Sequence, residues 1–326
     1  MSNNEIFIPG IRVIDVQFLD SGVTSVYSIT DSGENAVVDS GHPDGVFNIL
    51  KSLEKEKVDL ASVKYLLITH VHLDHCGGAG DLVNFLPNAK VICHEKSFSH
   101  LTNPERLVKG ASVIYGKSRL WKMYGEIKGI DPGRIQIVRD EEELPLGASK
   151  IKILYTKGHA NHHISLWDPK TRTAFTGDTF GLAYPALQRG SAPFIYPAST
   201  PIDFNVSEMV KSMDRIMKLD PARLALAHFG FFNDVQIAYK QMRHALKIIE
   251  DIVLHAITLV KKEEIEDYCL TSWKSFIENE LIVRGYDFNK TDAGIYKMDM
   301  ELNAKGIAVA VLRKKKQLNP GNPESL

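Results

Sequence analysis

The chain has 326 residues, 44% of them hydrophobic and 24% charged, with 39 Lys+Arg against 40 Asp+Glu. Those proportions describe a globular protein of about one or two domains and exclude disordered, collagen-like and disulfide-scaffold classes. A net charge of −1 argues against binding driven chiefly by phosphate neutralisation, and three cysteines, Cys76, Cys93 and Cys269, fit a reducing compartment.

Up to about residue 234, short β-branched runs alternate with turn signals. Residues 11–19 and 23–30, split by Asp20-Ser21-Gly22, predict a hairpin, and a third strand over 36–38 ends at Asp39-Ser40-Gly41. Val46, Ile49, Leu50 and Leu53 have the spacing of an amphipathic helix over 45–57. The apolar run 65–68 predicts a strand buried on both faces. A helix over 81–86 and a strand over 90–93 follow, then strands over 151–155, 164–167, 173–175 and 224–227. Such alternation predicts an α/β fold with sheets covered by helices. From residue 235 apolar residues recur at steps of three, four and seven, which predicts a long helix and then a second over 263–284, stopped by Gly285. The expected organisation is a catalytic domain over 1–234 and a helical C-terminal extension over 235–326 packed on it, with a frayed tail from about residue 314.

One stretch concentrates chemistry: Thr69-His70-Val71-His72-Leu73-Asp74-His75-Cys76-Gly77-Gly78. A strand end turning into a loop aims alternate side chains at one point, sending His70 and His72 to one place and Asp74 and His75 to a neighbouring one. Such nitrogen and oxygen donors suit Zn²⁺ and other borderline divalent ions. The bland alternative is a His-rich surface loop, but the chain has only 12 histidines and three of them fall within six residues here. Polar groups just past other strands repeat the arrangement: His159 in Gly158-His159-Ala160-Asn161-His162-His163, Asp178 in Thr176-Gly177-Asp178-Thr179, and His228. Each is weak alone. Together they are strong, because ligands of open sheets collect at one edge.

The series His-x-His-x-Asp-His, Gly-His, Gly-Asp and a final His resembles that of the metallo-β-lactamase superfamily, with Asp39 in Val-Val-Asp-Ser-Gly matching its first motif. The resemblance spans residues 10–230 and implies an αββα four-layer sandwich with a two-metal site between the sheet edges. It implies His70, His72 and His159 on one ion, Asp74, His75 and His228 on another, and Asp178 bridging both. His228 at the last position, with no Cys ligand, places the resemblance on the glyoxalase II and RNase Z side, and more narrowly with a prokaryotic branch carrying Gly-His-Ala-x-His-His. Ala160 and His162 stand where glyoxalase II has Thr and Gly, so the departure concerns the substrate rather than the metals. The family pattern gives Asp39 and His163 an orienting role without metal contact. Cys76 reads as a small buried residue under a helix start.

The ligand set implies two divalent ions, zinc first with iron or manganese as alternatives, that lower the pKa of a shared water for attack on a small ester or thioester. Asp74 and Asp178 are the catalytic carboxylates on this reading. No Gly-x-Ser-x-Gly nucleophile motif is present. The rivals are a phosphodiesterase or ribonuclease on the same ions, supported by the basic run 313–316, and an iron-dependent persulfide dioxygenase-like oxidoreductase. His162, Tyr184, Phe194 and Tyr196 are candidates to wall a substrate pocket, against a packed structural segment as the alternative. Arg106, Lys109, Lys117, Arg119 and Lys122 make a basic stretch, more commonly a solvated helix face than an anion site. The expected partners are a small-molecule substrate and, in an oligomer, further copies of the chain, with neither membrane nor nucleic acid. Residues 1–5 lack the basic start of a secretory signal, so a cytoplasmic location is expected.

Overall fold

The structure, a computed structural model, describes residues 8–188, 192–286 and 294–318. The chain forms two compact units, one of Met1–Thr156, His162–Gly177 and Leu219–Val235, the other of Lys157–Asn161, Asp178–Lys218 and Gln236–Leu326. The expected single cut near residue 234 therefore coincides with only one of several crossings. The second unit also takes two segments from the body of the expected catalytic domain.

Two six-stranded sheets organise the first unit. One runs in spatial order β1 (Ile11–Asp15), β2 (Ser25–Asp31), β3 (Glu34–Val38), β4 (Val63–Leu67), β5 (Lys90–His94) and β6 (Ile135–Val138). The other runs β12 (Gly230–Phe232), β11 (Arg223–His228), β10 (Thr173–Leu182), β9 (Ile164–Asp168), β8 (Ser149–Tyr155) and β7 (Glu143–Leu146). The strand β10 carries the chain out of this unit between Gly177 and Asp178. Within the first sheet β1, β2 and β3 pair antiparallel, whereas β3, β4, β5 and β6 pair parallel. Parallel strands send their C-terminal ends to a common edge, and there β3 delivers Asp39 and β4 delivers Thr69 to His75. The core lies where the sheets meet: Ile29, Val38, Leu67 and Ile92 from the first sheet share one buried cluster with Ile153, Leu166, Phe175 and Ala225 from the second.

The helices of this unit are α1 (Val46–Lys55), α2 (Leu73–Cys76), α3 (Ala79–Leu82), α4 (Phe98–Thr102), α5 (Glu105–Tyr115) and α6 (Lys117–Tyr124). Helix α1 buries Val46, Ile49 and Leu53, the stripe predicted from their spacing. The second unit holds α7 (Val206–Met217), α8 (Val235–Ala256, from Gln236 on), α9 (Lys262–Val283) and α10 (Gly294–Leu318). The side chain of Asn205 caps α7 by accepting from the Glu208 amide at 3.0 Å. Along α9 the buried residues are Ile265, Cys269, Trp273, Ile277 and Leu281, one per turn on a single ridge. No helix among the described residues is long and apolar enough to cross a membrane.

Two expectations change. Helix α10 continues to Leu318 where a frayed tail was expected from residue 314, because its last turns are anchored. Arg313 donates to the carbonyls of Ile202 and Phe204, and Lys315 donates to the carbonyl of Leu259. Residues 319–326 of that expected tail lie outside the described residues. The strand over 173–175 extends to Leu182, all ten residues being buried.

Tyr27 helps to tie the two sheets together. The hydroxyl of Tyr27 on β2 donates across the core toward two acceptors, the carbonyls of Leu226 at 2.6 Å and Gly230 at 2.9 Å. Tyr27→Phe leaves these buried carbonyls without that partner. It should destabilise the protein by about 1–3 kcal/mol, read in urea as a lower midpoint with unchanged slope.

Candidate metal centre

The site is built on the carboxylate of Asp39, which sits just past β3 at a left-handed φ of +61° that Asp tolerates better than most residues. Its Oδ1 accepts from the Thr69 amide at 2.8 Å, and the Thr69 hydroxyl donates to Oδ1 at 3.0 Å and Oδ2 at 2.9 Å. With its proton directed at Asp39, the Thr69 oxygen accepts from His70 Nδ1 at 3.1 Å. Oδ2 also accepts from His75 Nδ1 at 3.2 Å. One buried carboxylate thus orients the rings of two histidines, turning both Nε2 atoms away from it. The loops are further stitched by Ser40, whose amide and hydroxyl both donate to the His75 carbonyl, at 2.8 and 2.9 Å.

The C-terminal end of β11 supplies His228. Its Nδ1 donates to the Val23 carbonyl at 2.7 Å, because a carbonyl can only accept. Its Nε2 lies 3.2 Å from Nε2 of His75. Asp74 Oδ2 is 3.5 Å from His75 Nε2 and 3.3 Å from His228 Nε2. Donors held about 2.0–2.1 Å from a tetrahedral ion lie roughly 3.4 Å apart, which is the spacing of these three atoms. Burial pushes the Asp74 carboxyl up, but the charge on His75 and the hydrogen bond and charge of His228 outweigh it, and its pKa falls well below the ordinary carboxylate range.

His70 Nε2 lies 3.0 Å from His72 Nδ1. In the second unit, His159 Nδ1 donates to the Ala198 carbonyl at 2.9 Å, and its Nε2 lies 3.3 Å from Asp178 Oδ2. Among the described residues the first unit brings together Asp74, His75 and His228 as a candidate donor set and sets His70 beside His72, while the second unit sets His159 beside Asp178.

This geometry can be set beside known proteins. The sequence matches the metallo-beta-lactamase superfamily over residues 19–228, more than half of the chain. The chain belongs to that superfamily. It is 26% identical over 251 residues to the "Metallo-beta-lactamase fold-containing protein ST1585" of Sulfurisphaera tokodaii, covering 75% of this chain and 81% of that one. It is 29% identical over 202 residues to a hydroxyacylglutathione hydrolase of Maricaulis maris, covering 61% and 58%. The crystal structure of ST1585 superposes with a TM-score of 0.64 at 22% identity, covering 91% of this chain and 98% of that chain. The metallo-beta-lactamase family protein TTHA1429 of Thermus thermophilus superposes with a TM-score of 0.61 at 18% identity, covering 94% of each. The fold is the superfamily's α/β sandwich with a helical C-terminal region, and the His and Asp clusters mark a divalent-metal site in it.

Other residues fall into place within this metallo-β-lactamase fold. His163 is fully buried, its Nδ1 within 2.8 Å of the Thr156 hydroxyl. It packs so closely on Gly177, itself at φ +48°, that a Cβ there would lie 2.4 Å from His163 Nε2. Half-buried His162 has its ring centroid 6.4 Å from those of both His70 and His72, beside the donors. Tyr184, Phe194 and Tyr196 correct the expectation of a pocket wall. They are interior side chains of the second unit, with both tyrosine hydroxyls directed at Asp299 and Phe194 stacked on Tyr196. Cys76 is buried, and burial followed by the charges of Asp39 and Asp74 pushes its thiol above the ordinary range, so it is no reactive nucleophile. Sequence reasoning missed Thr69 as the link from Asp39 to His70, although it adjoins the motif. It also missed the carbonyls of Val23 and Ala198, which carry no side-chain signal.

Asp39→Asn keeps a residue tolerant of the left-handed backbone but puts an amide where His75 Nδ1–H needs an acceptor. It should weaken zinc retention by about 10–100-fold, measured by competition with a chromophoric chelator, while the circular dichroism spectrum stays that of the parent.

Proposed function

We propose that the protein is a dinuclear metal-dependent hydrolase acting on a small ester or thioester. The observation that carries this reading is the convergence of His75 Nε2, His228 Nε2 and Asp74 Oδ2 at 3.2, 3.3 and 3.5 Å from one another, the spacing of donors around a divalent ion. On this reading His70, His72, His159 and Asp178 hold a first ion, Asp74, His75 and His228 a second, and Asp178 serves both. Zinc suits the mixed imidazole and carboxylate donors best. When bound, such ions supply Lewis acidity and lower the pKa of water enough for hydrolysis near neutral pH.

The chain's own residues do the rest. Asp39 and the carbonyls of Val23 and Ala198 hold the imidazoles in the tautomer that presents Nε2. Asp74, kept ionised by its histidine neighbours, is an acceptor for the proton of attacking water. His162 stands beside the donor pair His70 and His72, a position suited to meeting substrate. The thioester class is supported by similarity to hydroxyacylglutathione hydrolases from Maricaulis maris and, at 26% identity, Francisella tularensis subsp. novicida. A phosphodiesterase reading is disfavoured, since the net charge is −1 and the basic run at its root has Arg313 and Lys315 engaged with backbone carbonyls.

Elemental analysis of protein purified without added metal should find two zinc ions per chain. Finding one iron instead favours the oxygenase reading. Chelation should abolish hydrolysis of a hydroxyacylglutathione thioester and Zn²⁺ should restore it, whereas serine-directed reagents should have no effect. Turnover that persists after metal removal is verified overturns the proposal.

Asp178→Ala should bind one ion or fewer and His228→Ala should lose chiefly the second. Each should lower turnover by more than the ~100-fold at the upper end for residues that only orient a ligand. Metal per chain by mass spectrometry at limiting free zinc reads the difference. Two tightly held ions in Asp178→Ala would show that Asp178 is not shared.

A further inference from the structure

Helix α10 carries two buried polar residues that no step above uses, Asp299 at 7% exposure and Asn303 at 0%. They stand one turn apart on the same face and are joined: Asn303 Nδ2 donates to the Asp299 carbonyl at 3.0 Å and to Asp299 Oδ2 at 2.9 Å. Both reach the segment 196–199. Asp299 Oδ2 accepts from the Tyr196 hydroxyl at 2.8 Å. Asn303 Oδ1 accepts from the Ser199 amide at 2.5 Å and its hydroxyl at 3.0 Å. Where the helix passes over this segment it carries Gly306, whose Cβ, if present, would fall 1.5 Å from the Ser199 carbonyl oxygen. The close approach admits only glycine.

The segment so held has a job at both ends. Tyr196 exchanges backbone hydrogen bonds with Leu182, four residues beyond Asp178 on β10, at 2.8 and 3.2 Å. Ala198, between the two residues that α10 grips, presents the carbonyl that accepts from His159 Nδ1. An apolar helix would hold the segment as well for stability alone. Buried polar groups fully engaged with one another instead fix direction, because each bond has a preferred angle and an unmade one is costly.

We infer that Asp299 and Asn303 are positioning residues, a relay through which the C-terminal helix α10 sets the Ala198 carbonyl and so the tautomer and aim of His159. The inference rests on the reading of His159 as a metal ligand, but its first test does not need metal. In metal-free protein, long-range proton–nitrogen correlation should show His159 protonated at Nδ1, its signal assigned by loss in His159→Ala. In Asn303→Ala the ring should become a mixture of tautomers. Unchanged Nδ1 protonation in Asn303→Ala overturns the relay, whatever the metal chemistry proves to be.

The second test reads the ligand role. In a His228→Ala background, where one zinc site remains, Asn303→Ala should weaken that site by about 10-fold, the lower end for loss of an orienting partner. Ile277→Val, a buried change on α9 that removes no hydrogen bond of the relay, separates stability from positioning. It should lower the melting temperature of the metal-free protein and leave zinc affinity unaltered. Equal zinc affinity in Asn303→Ala and its parent, with the tautomer shift present, would keep the relay and refute His159 as a ligand. Proportional loss of affinity and stability in both variants would reduce the relay to ordinary packing. Asp299→Asn, which retains an acceptor for Tyr196, should recover most of the affinity and the Nδ1 signal.

Discussion

The structure turns on the carboxylate of Asp39. It lies 2% exposed at the end of a central parallel strand and accepts from the Thr69 amide, the Thr69 hydroxyl and His75 Nδ1. Through Thr69 it also settles His70, so one ligand candidate in each donor set takes its orientation from the same group. Such sharing makes the two sets interdependent before any ion arrives. It also explains why a carboxylate tolerates full burial: its lone pairs are met by three donors, which offset the loss of hydration.

Around that group the molecule repeats one device. Each of His75, His228 and His159 gives its Nδ1 hydrogen to an oxygen that can only accept: a carboxylate, the Val23 carbonyl and the Ala198 carbonyl. Backbone carbonyls do this work as well as side chains, and they are supplied by segments far from the ligands in sequence. The tautomers are thus a property of the fold rather than of the motif.

That division accounts for what the sequence disclosed. The donors were legible because four of them fall within six residues and the rest follow recognisable strand ends. Central strands were legible as unbroken apolar runs, as in β4. The strand β7 was not, because Pro145 argues against a strand. As the last strand of its sheet, β7 has an unpaired edge where a missing amide hydrogen is harmless. The aromatic residues after β10 stayed open between a pocket wall and a packed segment for a related reason. A tyrosine beside a proline suits a pocket as well as a core, and only the location of Asp299, more than 100 residues downstream, decides between them. Helix α10 mixes charged, polar and small residues around its circumference, so no apolar stripe announced it.

The bond from Tyr27 to the Leu226 carbonyl joins positions 199 residues apart. A ribosome adding about 5–20 residues per second needs roughly 10–40 s to make that stretch. Late in that interval the inner face of the first sheet, with Ile29, Val38, Leu67 and Ile92, has already been synthesised, while its partner Ala225 has not. The nascent protein therefore spends a long time with apolar surface uncovered, and its dependence on chaperones should be greatest just before β11 emerges.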